Sequence, residues 1–216
     1  MTFSFFYPCY LPRLQELANL IYSDLIFFTD HFQFVKRSCL TRTRLSPSGA
    51  YLSIPVEHGD GFVPIFRKKI RQDEKWTENH LRTIYHLYHK LPFFDYYYPL
   101  LQEIFHIQNT YLSPLLYHLL QFYKKAYQLP GEIKIVSELF SGQLSTDLLL
   151  KKIIGNFPVT AYGAIADTDA LCPKLDNIGF NFTKEIPLPN TFPYQLNSLE
   201  FLCTFGSEAA YLLRTA

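Results

Sequence analysis

Side chains suited to proton transfer and to anion binding lie close together near the start of this sequence. Asp30 and His31 are adjacent, and either could act as a general base. The densest basic cluster of the chain follows them: Lys36, Arg37, Arg42 and Arg44. Because guanidinium groups match the oxygens of phosphate and carboxylate groups, this segment predicts a site for an anionic substrate.

The elements before this segment predict where such a site would lie. Residues 3–7 form an aromatic run, an amphipathic helical stretch follows, and residues 25–28 form a second apolar run. The gap is long enough for a right-handed crossover between parallel strands. Both strand ends would then open on one edge of the sheet, where open α/β sheets hold ligands. We therefore expect Asp30, His31 and Tyr10 to share a cleft at that edge.

The arginines lie on a predicted β-hairpin. The sequence Ser46-Pro47-Ser48-Gly49 is typical of a type I turn, and a four-residue loop would pair Leu45 with Ala50. Alternation then places four residues on one face: Arg42, Arg44, Tyr51 and Ser53. The opposite face would carry Thr41, Thr43, Leu52 and Ile54. Two guanidinium groups on one face suit a single phosphate, and the alternative interpretation is an exposed charged surface.

Further elements complete an α/β pattern. We predict a short strand at residues 62–66, a helix after Trp76 with Thr77 as its N-cap, a helix around residues 100–106, and a helix from Ser113 to about Tyr127. Later elements are a strand at 133–136, a helix at 148–154, strands at 159–162 and 180–182, and a helix capped by Asn197 that ends near Gly206.

These elements predict one α/β domain over residues 1–216. Its mostly parallel, Rossmann-like sheet would have flanking helices, an antiparallel hairpin and a helical insertion at about residues 76–128.

The composition excludes some classes of function. Hydrophobic residues make up 48% and charged residues 18% of the chain, which is enough for a full core. The net charge is only +1, whereas a domain that binds nucleic acid is usually far more basic. No apolar run approaches the roughly 18 residues that span a membrane, and the N-terminus does not resemble a signal peptide. We therefore expect a cytoplasmic protein.

The cysteines and histidines do not predict a metal site. Cys9, Cys39, Cys172 and Cys203 form no CxxC pair, so we interpret them as reduced thiols. Cys9 differs because it precedes a predicted helix N-terminus, which could lower its pKa. His86 and His89 would share a helix face, but no third ligand has suitable spacing. We expect neither a metal nor a cofactor.

The order of the motifs also resembles a known family. The chain carries, in succession, Tyr7-Pro8-Cys9-Tyr10-Leu11-Pro12, Asp30-His31-Phe32-Gln33-Phe34-Val35-Lys36-Arg37-Ser38, Thr41-Arg42-Thr43-Arg44-Leu45, Ile54-Pro55-Val56, Trp76 and Lys90-Leu91-Pro92-Phe93-Phe94. This series is similar to the motifs of the WbqC-like family of bacterial proteins. The chain departs from the family pattern at Tyr7, His31, Thr41 and Thr43.

The resemblance implies a role in making or modifying an activated sugar, since such proteins are known chiefly from gene clusters for O-antigen and related surface polysaccharides. Our leading hypothesis is a transferase-like enzyme that acts on a phosphate-bearing small molecule such as a nucleotide sugar. In this hypothesis Lys36, Arg42 and Arg44 bind the anion, and Tyr10 and Gln33 position the substrate. Asp30 or His31 is the general base. The alternative is a non-catalytic binding or assembly protein of the same pathway.

Overall fold

The computed structural model describes residues 2–45, 49–59, 63–72, 75–140, 148, 151–153, 165–166 and 197–215. Its strands, in chain order, are β1 (Phe3–Phe6), β2 (Leu25–Phe28), β3 (Arg42–Arg44), β4 (Tyr51–Ser53), β5 (Glu132–Ile135) and β6 (Ile165–Ala166). Its helices are α1 (Leu14–Ala18), α2 (Trp76–Tyr88), α3 (Phe94–His106), α4 (Leu112–Ala126), α5 (Val136–Leu139), α6 (Ser198–Phe205) and α7 (Glu208–Thr215).

The main sheet is parallel and has the strand order β5-β2-β1-β6. β1 pairs with β2 in the register Phe3↔Leu25 to Phe6↔Phe28, so the predicted parallel β-α-β unit is confirmed. The chain moves outward from β1 through β2 to β5 and then returns to the other side of β1. This reversal is a topological switch point, and ligands of such sheets bind outside the carboxyl ends of the strands there.

The central strands are buried on both faces, and all their residues except Ser4 are apolar. All four residues of β1 and all four of β2 are buried, as expected for strands of a parallel sheet. The rings of Phe6 and Phe28 stack across the pair with centroids 6.4 Å apart. Burial of each such side chain contributes about 1.5–3 kcal/mol, so the pairing of β1 with β2 is strongly stabilised. The loops that follow the two strands therefore emerge at the same edge of the sheet.

Three helices, α2, α3 and α4, lie between the hairpin and β5, at the position of the predicted insertion. α3 begins at Phe94 rather than near residue 100, and Pro99 lies inside it. Proline is usually found in the first turn of a helix. Here the buried face formed by Phe94, Tyr97 and Leu101 extends the helix past the proline.

Several local predictions differ from the structure. Ile65–Arg67 is a 3-10 turn, so the predicted strand at residues 62–66 is wrong in its described part. α2 begins two residues earlier than predicted, with Lys75 rather than Thr77 at the N-cap. The cap of α6 is confirmed, since the Asn197 side chain accepts a hydrogen bond from the Glu200 N–H. The sequence patterns did not predict α7.

Other predicted elements lie outside the described residues. They are the turn residues 46–48, the strands at 159–162 and 180–182, and residues 149, 150 and 154 of the predicted helix at 148–154, whose described residues are helical. Within the described part of the chain, no helix is long and apolar enough to cross a membrane.

Candidate functional site

Asp30 is buried immediately after β2, at the carboxyl edge of the sheet. Its carboxylate accepts hydrogen bonds from the Ser113 hydroxyl (2.8 Å), the Ser137 hydroxyl (2.7 Å) and the Ser137 backbone N–H (3.0 Å). Ser113 is in the first turn of α4 and Ser137 in the first turn of α5, where negative charge is favourable. Asp30 therefore joins the end of β2 to two helices.

The segment that follows Asp30 is held by residues 63–66. The Phe66 N–H donates to the Asp30 carbonyl, the Ile65 N–H donates to Phe32, and the Phe34 N–H donates to Val63. The imidazole of His31 is buried and packs edge-on against the Phe66 ring, with centroids 5.3 Å apart. The structure thus places both candidate bases at the predicted edge, in a largely enclosed position.

The hairpin has the predicted register. Arg42 pairs with Ser53, Thr43 with Leu52 and Arg44 with Tyr51, and the Leu45 N–H donates to the Ala50 carbonyl. Arg42, Arg44, Tyr51 and Ser53 are exposed on one face, while Thr43 and Leu52 are buried on the other.

The two arginines are open to solvent. The Arg42 guanidinium lies 3.9 Å from the centroid of the Tyr51 ring, and the Arg44 guanidinium lies against Gly49 in the turn. Within the described part of the chain, no ion pair engages either guanidinium. Both therefore keep their charge available to an anion.

The buried face of the hairpin packs beside the loop that follows β1. The Thr43 hydroxyl donates to the Leu11 carbonyl, and the Tyr10 N–H donates to the Cys39 carbonyl. Leu11 has φ = 50°, an uncommon conformation for a residue with a branched side chain, and Arg37 has φ = 58°. Backbone strain of this kind clusters at functional sites, and Leu11 lies in the loop after β1, which adjoins the switch point.

The remaining predicted binding residues differ in their exposure to solvent. Gln33 and Lys36 are exposed on the segment between β2 and β3. Tyr10 is fully buried, and its hydroxyl forms a 2.8 Å hydrogen bond with Nδ1 of His80. Tyr10 is therefore a partner of α2, and the structure does not bring it to the surface beside the arginines.

Burial determines the protonation of this tyrosine–histidine pair. It lowers the pKa of His80 to about 4, although a hydrogen bond with the Ser53 backbone acts in the opposite direction. A bond that raises a histidine pKa is one that its N–H donates, so the Ser53 carbonyl is the acceptor and Nδ1 is left to accept from Tyr10. Burial also raises the pKa of Tyr10 well above its usual value. Both groups are neutral near pH 7.

A cavity of about 250 Å³ opens beside this pair, between the start of α2 and the connection from α3 to α4. The rings of Trp76 and Phe105 line it, with centroids 5.9 Å apart. Polar side chains at its edge include Gln72, Thr77 and Asn109. Trp76 also contacts the His80 ring at 5.2 Å, which connects the cavity to the hairpin through Ser53.

Sequence reasoning missed Lys68 and His80. Lys68 is 5% exposed, and its ammonium lies 5.1 Å from the centroid of the Phe34 ring. It stands in the sequence Arg67-Lys68-Lys69, which is typical of a solvated charge run. The burial of Lys68 and of His80 could not be predicted from the sequence, because it depends on packing between distant segments.

The described cysteines, Cys9, Cys39 and Cys203, are not part of a metal-binding cluster within the described residues. Cys9 is buried and its thiol donates to the Tyr7 carbonyl at 3.1 Å, while burial raises the pKa of Cys203 to about 12. Cys172 lies outside the described residues. Within the parts of the chain that the structure describes, no three His, Cys, Asp or Glu side chains could together hold a metal ion.

Comparison with known proteins supports the resemblance seen in the motifs. The model of the WbqC-like protein family matches residues 7–175, a range that includes every predicted site residue. No curated protein and no solved structure matches the chain. Because the family model matches more than half of its length, the chain belongs to the WbqC-like protein family.

Proposed function

We propose that this protein is a transferase-type enzyme that acts on a phosphate-bearing activated sugar, such as a nucleotide sugar, in surface polysaccharide biosynthesis. The observation that carries the proposal is the exposed pair Arg42 and Arg44, on a hairpin that packs against the loop at the switch point. Two guanidinium groups on one strand face can bind the same phosphate, and Lys36 adds a further exposed cation nearby in sequence.

The cavity beside Trp76 supports a ligand that also has a ring. Its aromatic walls suit the apolar face of a sugar or base. The amide groups of Gln72 and Asn109 donate to backbone carbonyls, so their oxygens are the atoms that suit hydroxyl groups of the ring. Contacts run without interruption from Arg42 through Ser53 and His80 to Trp76. One activated sugar would use the arginines for its phosphate and the cavity for its ring.

His31 is the better candidate for the general base in this proposal. Asp30 already accepts three hydrogen bonds, which hold its carboxylate in the protein interior. Its role would be to fix the residues after β2, including His31, at the sheet edge. Imidazole is the side chain that enzymes most often use for proton transfer near neutral pH.

Binding of UDP-glucose by arginine variants tests the proposal. Arg44→Ala should lose more than tenfold in affinity, since a charge-assisted pair with a phosphate is worth on the order of 1.5–3 kcal/mol. Arg44→Lys should recover only part of the lost affinity, because an ammonium cannot form the paired hydrogen bonds that a planar guanidinium makes with a phosphate. Arg37→Ala is the matched control, because Arg37 is exposed nearby but off the hairpin face.

Calorimetry measures these affinities, and the emission of Trp76 gives a second readout because it is the chain's one tryptophan. Equal affinities for the wild type and all three variants would assign the arginines to an ordinary charged surface and would overturn the proposal.

A non-catalytic binding protein of the same pathway is the second candidate. The engagement of the Asp30 carboxylate by three donors favours it, because that carboxylate serves the fold. Incubation with nucleotide sugars and carbohydrate acceptors distinguishes the two candidates. Release of nucleotide that is lost in His31→Gln supports the enzyme, and tight binding without turnover supports the binding protein.

A further inference from the structure

Lys68 is a buried lysine at the carboxyl edge of β2. It is 5% exposed, whereas the next residue, Lys69, points outward and is exposed. Their side chains diverge because this stretch is extended, with bridges from Lys69 to Tyr111 and from Val56 to Ile70. The side chain of Lys68 therefore runs inward, and its ammonium lies over the Phe34 ring.

The Lys68 ammonium has no counter-charge within the described part of the chain. No ion pair or hydrogen bond engages it there, and its contact is with the Phe34 ring at 5.1 Å. Lysine is almost never buried unless it is paired, because an ammonium removed from water loses its hydration. A cation–π contact offsets only part of that cost. Within the described part of the chain, the ammonium therefore lacks the counter-charge that a buried lysine usually has.

Lys68 lies beside the candidate catalytic residues. The Lys68 carbonyl accepts a hydrogen bond from Leu112, and the next residue of α4, Ser113, donates to the Asp30 carboxylate. Phe66, two residues before Lys68, donates its N–H to the Asp30 carbonyl and contacts the His31 ring. Lys68 is therefore held beside α4, one of the two helices that donate to Asp30.

We infer that Lys68 binds an oxyanion of the substrate at this edge, as a buried subsite separate from the exposed arginines. The inference rests on the proposed function, in which the ligand carries a phosphate. A single ammonium beside an aromatic wall accommodates one small oxyanion, and both phosphate and carboxylate groups supply that chemistry. Binding supplies a counter-charge that the described part of the chain does not provide.

Thermal unfolding of Lys68→Met and Lys69→Met tests the inference. Methionine keeps much of the length and apolar character of lysine but removes the charge, and Lys69 is the matched control on the exposed side of the same stretch. Each protein is heated in chloride, in inorganic phosphate and in acetate at equal ionic strength. Phosphate and acetate distinguish the two sources of the oxyanion.

In chloride, Lys68→Met should melt no lower than the wild type, because it removes a buried charge that has no counter-charge within the described residues. Phosphate or acetate should raise the midpoint of the wild type and of Lys69→Met by about 5 °C or more at a hundredfold excess over the dissociation constant. That increase should be lost in Lys68→Met.

The inference would be overturned if Lys68→Met unfolded or melted lower than the wild type in chloride. It would also be overturned if phosphate and acetate did not raise the unfolding midpoint of the wild type, or if Lys68→Met kept that rise in midpoint. Arg42→Ala, measured in parallel, separates this inference from the proposed function. An increase that depends on Arg42 but not on Lys68 supports the arginine site alone. An increase that depends on Lys68 alone supports the buried subsite and counts against the arginines.

Discussion

Asp30 accepts hydrogen bonds from two helices at once, and its carboxylate is almost completely enclosed. Hydrogen bonds to a charged group contribute about 1.5–3 kcal/mol each, although not additively. Removal of the carboxylate would leave two serine hydroxyls and one backbone N–H without an acceptor. The residue is therefore central to stability whatever part it takes in a reaction.

We expect Asp30→Ala to lower the free energy of unfolding by about 3–5 kcal/mol, and Asp30→Asn by less, because the amide retains one acceptor oxygen. Urea unfolding at pH 7 measures both. Glu103→Gln, an exposed change on α3, is the control and should remain within about 0.5 kcal/mol of the wild type. Loss of activity with unchanged stability in Asp30→Ala would show that the three hydrogen bonds do not support the fold.

The predictability of single residues depended on how local their environment is. The exposed face of Arg42 and Arg44 follows from alternation and a turn of known length, so it was predicted correctly. The burial of Lys68 requires residues 63–66 to pair with residues 30–34, and nothing near Lys68 in the sequence indicates this.

At the scale of elements, predictions were correct where a sequence pattern is compatible with one arrangement of strands and helices. The β1-α1-β2 unit has two largely apolar runs with a helical crossover, and parallel pairing is the arrangement that buries both. Residues 62–66 have an apolar character that fits a strand or a turn equally well. Tertiary contacts decide between them, since the Phe66 and Ile65 N–H groups donate to Asp30 and Phe32 rather than to a neighbouring strand.

The junction of α6 and α7 depends on a glycine that also contacts the insertion. Gly206 has φ = 58°, and a Cβ there would lie 2.6 Å from the Phe93 ring. The Phe93 N–H donates to Cys203 of α6, so α3 and α6 meet at this point. Any side chain at Gly206 would strain the backbone and push against Phe93.

Gly206→Ala should therefore lose about 2–4 kcal/mol of unfolding free energy, from strain and steric contact together. Gly59→Ala is a matched control: Gly59 also has a positive φ (112°), but nothing in the described part of the chain lies within 4 Å of where its methyl carbon would be. Denaturant unfolding should show the larger loss for Gly206→Ala, and Phe93→Ala should recover part of it. Equal losses at the two glycines, with no recovery, would show that the contact with Phe93 contributes nothing.

At the scale of the whole molecule, distant segments converge on the loop after β1. The Ser198 hydroxyl at the start of α6 donates to the Pro12 carbonyl, and Arg13 forms a bridge with Asn197. The Tyr127 hydroxyl donates to the Ser198 carbonyl, which connects α4 to the same point. Sequence patterns located these helices but not this convergence, because side-chain contacts across more than 180 residues leave no local periodicity.

His80 connects the loop after β1, the hairpin and α2, and its buried imidazole makes the stability of the molecule dependent on pH. It contacts Tyr10 in the loop after β1, Ser53 in the hairpin and Trp76 in its own helix. The pKa is about 4 in the folded protein against 6.5 ordinarily. Between these values the unfolded chain binds a proton that the folded protein does not, so the free energy of unfolding falls as the pH falls.

The contribution of His80 is complete above pH 6.5 and is lost progressively toward pH 4, by on the order of 3 kcal/mol. Urea unfolding at pH 7 and pH 4.5 measures it as the difference between the wild type and His80→Gln, because carboxylates elsewhere also titrate in this range. His80→Gln should show a smaller decrease than the wild type. His89→Gln, at the exposed end of the same helix, should decrease as the wild type does. If His80→Gln followed the wild type across this range, the buried imidazole would not be the group responsible.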